Sequence, residues 1–156
     1  VTSIAQARAA VGPQLDVIAR DLRERIGATR VTVRVDYAPC GYDVNDVAAE
    51  ALGPGAGSLV GVTGIPQRAA ATAQFLERER RILVQNDFSD PALSPPQALI
   101  DGYGVQAQML GPLVRDGALI GWISVHQGGT TRKWSAADIA ALDAAMQRAL
   151  PLLVAR

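Results

Sequence analysis

The sequence predicts an α/β (α+β) fold in which helices cover one face of a mainly antiparallel sheet. Three observations carry this prediction. Stretches of helical periodicity stand at both ends of the chain, segments of strict alternation lie between them, and Arg115-Asp116-Gly117 separates two long apolar runs as a hairpin turn does.

Ser3 and Gln6 have the spacing of a capping box, and Ile4, Val11, Leu15, Ile18, Leu22 and Ile26 then recur every three or four residues, ending at a natural C-cap, Gly27. Gly12-Pro13 interrupts the pattern and predicts a kink or a fresh helix start, which makes residues 13–26 the long segment. Residues 29–36 alternate as a strand, with Val31, Val33 and Val35 on one face and Thr32, Arg34 and Asp36 on the other. Residues 47–52 are read as a second strand and the glycine-rich 53–64 as a mobile loop. A helix over 69–79, a short β-branched strand over 82–85, a proline-rich stretch and one or two helical turns over 98–103 follow. The hairpin pairs 105–114 with 118–127. Ser135 and Asp138 form a second capping box opening a helix striped by Ile139, Leu142, Met146, Leu150 and Leu153.

A length of 156 residues with 49% hydrophobic content fits one core, so a single domain over 1–156 is expected. Fifteen basic residues balance fifteen acidic ones, which removes the overall positive field that nucleic-acid or anionic-membrane binding needs. Cys40 is the only cysteine, so neither an intrachain disulfide nor a multi-cysteine metal site is available, and a reducing cytoplasmic setting fits. Residues 1–11 lack the basic and continuous apolar regions of a secretory signal, and no apolar run approaches the roughly 20 residues that span a bilayer.

Residues 81–142 resemble the second half of a GAF domain. The resemblance is carried by Arg-Ile-Leu-Val-Gln-Asn-Asp at 81–87, Asp90-Pro91, Gly104-Val105-Gln106-Ala107 running into Gly111-Pro112-Leu113-Val114, the run Leu119 to His126, and the aromatic-Ser-x-x-Asp helix start at Trp134. Residues 30–35 and 47–52 are similar to the family's first two strands. The resemblance implies terminal helices on one sheet face and a ligand pocket on the other. The family includes cyclic-nucleotide sensors, phytochrome chromophore domains, redox sensors and free methionine sulfoxide reductases, and fold alone does not choose among them. The Asn-Lys-x-Phe-Asp-Glu signature of cyclic-nucleotide receptors is missing here, a lone Cys40 does not supply the reductases' several cysteines, and Cys40 does not match a bilin-attachment position.

On the pocket side the strands read polar: Thr32, Arg34 and Asp36, then Ser124 and His126. The resemblance of Gly121 to His126 to a phytochrome pattern implies that His126 sits where a histidine contacts chromophore, with Gln108 and Leu110 across on the partner strand and Arg34 in place of a contacting tyrosine. An arginine inside a central strand needs a partner, because burying an unpaired charge costs several kcal/mol or more. Either Asp36 or Asp87 supplies it as an ion pair, or a carboxylate or phosphate of a ligand does. His126 is either a satisfied core histidine or a second, pH-sensitive ligand contact. Tyr103 and Phe88 lie on segments that roof the pocket in related domains, placed to stack on a planar ligand or to pack as lid. Trp122 and Trp134 are read as core and helix-start residues, and Cys40 as inert, with only Arg34 near enough in sequence to lower its pKa.

The expected function is a receptor for a small, anionic, planar metabolite. Its ligand set is Arg34, His126, Gln108, Ser124, Thr32, Tyr103, Phe88 and Asp87, with no cofactor, metal, nucleic acid or membrane partner. The apolar stripes of the terminal helices point to a homodimer. Two rivals stay open: an enzyme with His126 as general base and Arg34 stabilising an oxyanion, and a dimerisation module whose cavity is filled by bulky side chains.

Overall fold

The structure, a computed structural model, describes residues 2–154. Helix α1 (Ile4–Ile26) begins with the expected capping box: Ser3 Oγ accepts from the Gln6 amide at 3.1 Å and Gln6 Oε1 accepts from the Ser3 amide at 2.9 Å. It ends at Gly27, whose φ of 69° is the left-handed cap that glycine adopts without strain. Of the two outcomes expected at Gly12-Pro13, a fresh helix start does not occur: α1 runs through Pro13. Proline there lies on the exposed side, so it removes one hydrogen bond facing water while Leu15, Ile18 and Leu22 hold the next turns to the core.

Strands β1 (Arg30–Val35), β2 (Ala49–Leu52), β3 (Leu83–Gln85), β4 (Val105–Arg115) and β5 (Ala118–Gly128) form one sheet in the order β2-β1-β5-β4-β3, each neighbour antiparallel. The hairpin turn sits where Asp-Gly predicted it, with φ of 51° at Asp116 and 78° at Gly117, and Arg115 pairs with Ala118 across it. Helices α2 (Ala71–Glu79) and α3 (Gln97–Tyr103) lie between β2 and β4 in sequence, and α4 (Ala136–Ala149) closes the described fold with a second capping box, Ser135 with Asp138.

The sheet separates two apolar clusters. On one face α1 and α4 pack Leu15, Ile18, Leu22 and Leu142 against Val31, Val33, Ile123 and Val125, all buried. Close approach of α4 to β4 depends on Gly111: a Cβ there would stand 2.6 Å from Met146 Sδ and 3.0 Å from Leu142 Cδ1. On the other face Phe75, Leu76, Leu83, Leu110, Leu119 and Trp122 gather around α2. Trp134 opens α4 as a buried residue, its Nε1 donating to the Gln85 carbonyl at 3.0 Å.

The 53–64 segment, expected as a mobile loop, is tied to the sheet. The Glu50 carboxylate accepts from Ser58 Oγ at 2.6 Å and from the Leu59 amide at 2.7 Å, and Leu59 is buried over the strands. Among the described residues no helix is long and apolar enough to cross a membrane.

Candidate functional site

Alternation along each strand sends every second side chain to the α2 side of the sheet, and strand pairing aligns them into rows. One row runs Gln85, Gln108, His126, Arg30; the next runs Leu83, Leu110, Ser124, Thr32, Glu50; a third places Trp122 beside Arg34. Over these rows lies a cavity whose floor includes Thr32, Arg34, Gln108, Ser124 and His126, with Leu59 from the tied loop among its other walls. The free space is about 30 Å³, room for roughly two water molecules.

Two arginines enter this face and are satisfied differently. Arg30, 1% exposed, donates from Nε and Nη2 to the Gly57 carbonyl at 2.9 and 2.7 Å and from Nη1 to His126 Nδ1 at 3.1 Å. Its guanidinium also lies over the Tyr103 ring, 5.3 Å from the centroid. Arg34, 4% exposed, makes one side-chain hydrogen bond to a described residue, from Nη1 to the Val44 carbonyl at 3.2 Å. Neither of the expected ion pairs forms. The Asp36 carboxylate is taken by the Val44 amide and by Arg68, and Asp87 is exposed and occupied by the amide and hydroxyl of Ser89. Burial pulls both guanidiniums below the usual arginine range, opposed by the charges of Glu50 and, for Arg34, first of Asp46. An arginine nevertheless keeps its proton, so Arg34 brings an unneutralised cation to the cavity.

His126 does not behave as a pH sensor. Burial first, and then the positive charges of Arg30 and Arg34, lower its pKa to about 3. Arginine only donates, so the bond from Arg30 makes Nδ1 an acceptor and puts the proton on Nε2. His126 is thereby a fixed neutral donor on its cavity side, and a group of that pKa is a feeble general base. Beside it the Thr32 hydroxyl is buried without a partner among the described residues. Gln108 Nε2 donates to Gln85 Oε1 at 2.8 Å, and Gln85 Nε2 donates to the Leu93 carbonyl at 2.8 Å.

The structure thus brings Thr32, Arg34, Gln108, Ser124 and His126 together and leaves three expected residues outside. The chain turns away after β3, where Asn86 holds Trp134 and Arg132 through its side-chain and backbone oxygens, and this carries Asp87 and the half-buried Phe88 off the sheet. Tyr103 stacks on Arg30 and lines a separate, more open cleft with Gly57 and Gly129. Three residues that sequence reading passed over belong to the site or its frame: Arg30, Trp122 and Leu59. The first two were within reach, since Arg30 shares the parity of Thr32 and Arg34, and Trp122 that of Ser124 and His126. Leu59 carried no signal, because nothing in a glycine-rich stretch says which residue turns inward. Cys40 is buried, and burial raises its pKa; its nearest cation is Arg8, which lowers it less, rather than Arg34.

A five-stranded antiparallel sheet with terminal helices on one face and a cavity with polar side chains on its floor on the other defines a small-molecule-binding sensor fold. The chain belongs to the GAF domain family, whose model matches residues 13–149. It is similar in structure to the blue-light-absorbing form of the PixJ GAF domain of Thermosynechococcus elongatus, with a TM-score of 0.74, 21% identity, and coverage of 94% of this chain and 86% of that one. The chromophore-binding domain of an unusual bacteriophytochrome of R. palustris superposes with a TM-score of 0.67 at 19% identity, over 94% of this chain and 57% of that one. A type II free methionine-R-sulfoxide reductase of Thermoplasma acidophilum does so with 0.68 at 15% identity, over 94% of each. At these identities the likeness concerns the fold alone. A comparison with curated proteins finds no matching relative.

Proposed function

We propose that this domain is a receptor for a small carboxylate anion, held by the guanidinium of Arg34 with Thr32, Ser124 and His126 as further donors. The observation that carries the reading is the buried cation on the cavity floor that forms no ion pair with an acidic side chain among the described residues. A carboxylate accepts two parallel bonds from such a planar fork, and in a desolvated cavity these are stronger than in water. Ligand size follows from the space: about two water volumes hold less than a small acid, so a carboxylate ligand requires Leu59 and its loop to withdraw, and the larger planar metabolite expected from the sequence requires a wider opening. The aromatic wall for such a ligand would be Trp122, since Tyr103 and Phe88 face elsewhere.

The test is native mass spectrometry of freshly purified protein, then a thermal-shift screen of aliphatic, aromatic and dicarboxylic acids against wild type and Arg34→Met. The expected result is a stabilisation by one class of acid that Arg34→Met loses. Equal stabilisation of both proteins removes Arg34 from the role. The proposed homodimer uses the groove between α1 and α4, lined by Pro13, Val17, Ile18 and Leu152. Sedimentation velocity at tens of micromolar decides it, a single monomer boundary counting against the dimer.

A further inference from the structure

The polar row Gln85, Gln108, His126, Arg30 is a hydrogen-bonded chain broken at one point, and the groups on the two sides of the break are chemically specified. From one end, the Leu93 carbonyl only accepts, so Gln85 turns its amide nitrogen to it and its Oε1 toward Gln108. Gln108 must then give Nε2 to Gln85, which leaves its own Oε1 as an acceptor. From the other end, Arg30 donates to His126 Nδ1, which leaves Nε2–H as a donor. Gln108 and His126 are direct cross-strand partners, both buried and both on the cavity floor, yet neither Oε1 nor Nε2 bonds to a described residue.

A group that completes this row accepts one hydrogen bond and donates one. A hydroxyl does both; a methyl does neither, a carbonyl or ether only accepts, and an ammonium only donates. Farther along the same face lie the unpartnered Thr32 hydroxyl, Ser124 and the cation of Arg34.

We infer that the ligand is a short-chain hydroxy acid, its hydroxyl bridging His126 Nε2 and Gln108 Oε1 and its carboxylate on Arg34, flanked by Thr32 and Ser124. The inference rests on the carboxylate reading given above and adds the hydroxyl to it. Amino acids of equal size are rejected, because their ammonium would meet two buried guanidiniums, Arg30 and Arg34, across a water-poor space.

Isothermal titration calorimetry of the wild-type protein with matched pairs tests this: lactate against propionate, 3-hydroxybutyrate against butyrate, and L-alanine. At least one hydroxy acid binds about tenfold or more tightly than its deoxy partner, since the deoxy acid forgoes one donated and one accepted hydrogen bond at the cavity floor, and alanine gives no binding heat. Gln108→Met, which keeps the volume and removes the acceptor, brings the hydroxy acid to the level of its deoxy partner. Equal affinities within both pairs, abolished together in Arg34→Met, overturn the hydroxyl and leave the anion site standing. No binding of any acid overturns both readings. A preference undiminished in folded Gln108→Met overturns the bridge, and the wild-type pairs remain decisive where that variant does not fold.

Discussion

Arg34 and His126 meet the same burial with opposite outcomes, because guanidinium keeps its proton where imidazole gives it up. For Arg34 the cost of burial is carried by one carbonyl bond, so Arg34→Met should leave the unliganded protein as stable or more stable, within about 1 kcal/mol on the destabilising side. Urea unfolding checks this, and a loss of several kcal/mol would mean that the guanidinium holds the fold rather than a ligand. For His126 the folded pKa of about 3 lies below the ordinary value of 6.5, so between these pH values the unfolded chain binds a proton that the folded chain refuses. The resulting stability is whole above pH 6.5 and falls as the pH drops toward 3, by up to about 1.4 kcal/mol per unit from this group. Proton NMR of the imidazole should show no titration from pH 8 to 5, and ligand affinity should be flat there. Arg30→Met removes the nearer of the two cations and moves the midpoint up, toward the ordinary range.

Among the elements, Pro13 and Gly111 are two places where local rules and packing conflict. Pro13 sits inside α1 and exposed, so Pro13→Ala should restore a helical hydrogen bond and stabilise the protein by about 1–3 kcal/mol in thermal unfolding. Gly111→Ala should cost about 1–3 kcal/mol, because the new methyl group meets Met146 and Leu142. The elements themselves were largely legible. Alternation through β1 and β5, the Asp116-Gly117 turn and both capping boxes are local signals, and each left a mark on the chain. What was not legible depends on long-range contacts: whether α1 survives its proline, where the chain turns after β3, and which loop residue roofs the cavity. The same split divides the site, since strand parity placed Thr32, Arg34, Ser124 and His126 on one face but could not say that Asp36 and Asp87 were already engaged elsewhere.

At the scale of the molecule, the helix-covered side of the sheet is apolar and closed, while the α2 side joins an apolar cluster to polar rows roofed by a loop that side chains tie down. Arg30 grips Gly57 and Glu50 grips Ser58 and Leu59, so the 53–64 segment is fastened to two adjacent strands. Glu50→Gln should speed hydrogen exchange at the Leu59 amide and at its neighbours while leaving β4 and β5 protected, and a uniform rise across the sheet would show global destabilisation instead.

The bare backbone at Gly111 has a mechanical meaning for a sensor. The strand that presents Gln108 and Leu110 to the cavity rests, one residue later, directly on Met146 and Leu142 with no side chain as cushion. An ångström-scale displacement of that strand would therefore bear directly on α4, because close packing leaves no slack between the two.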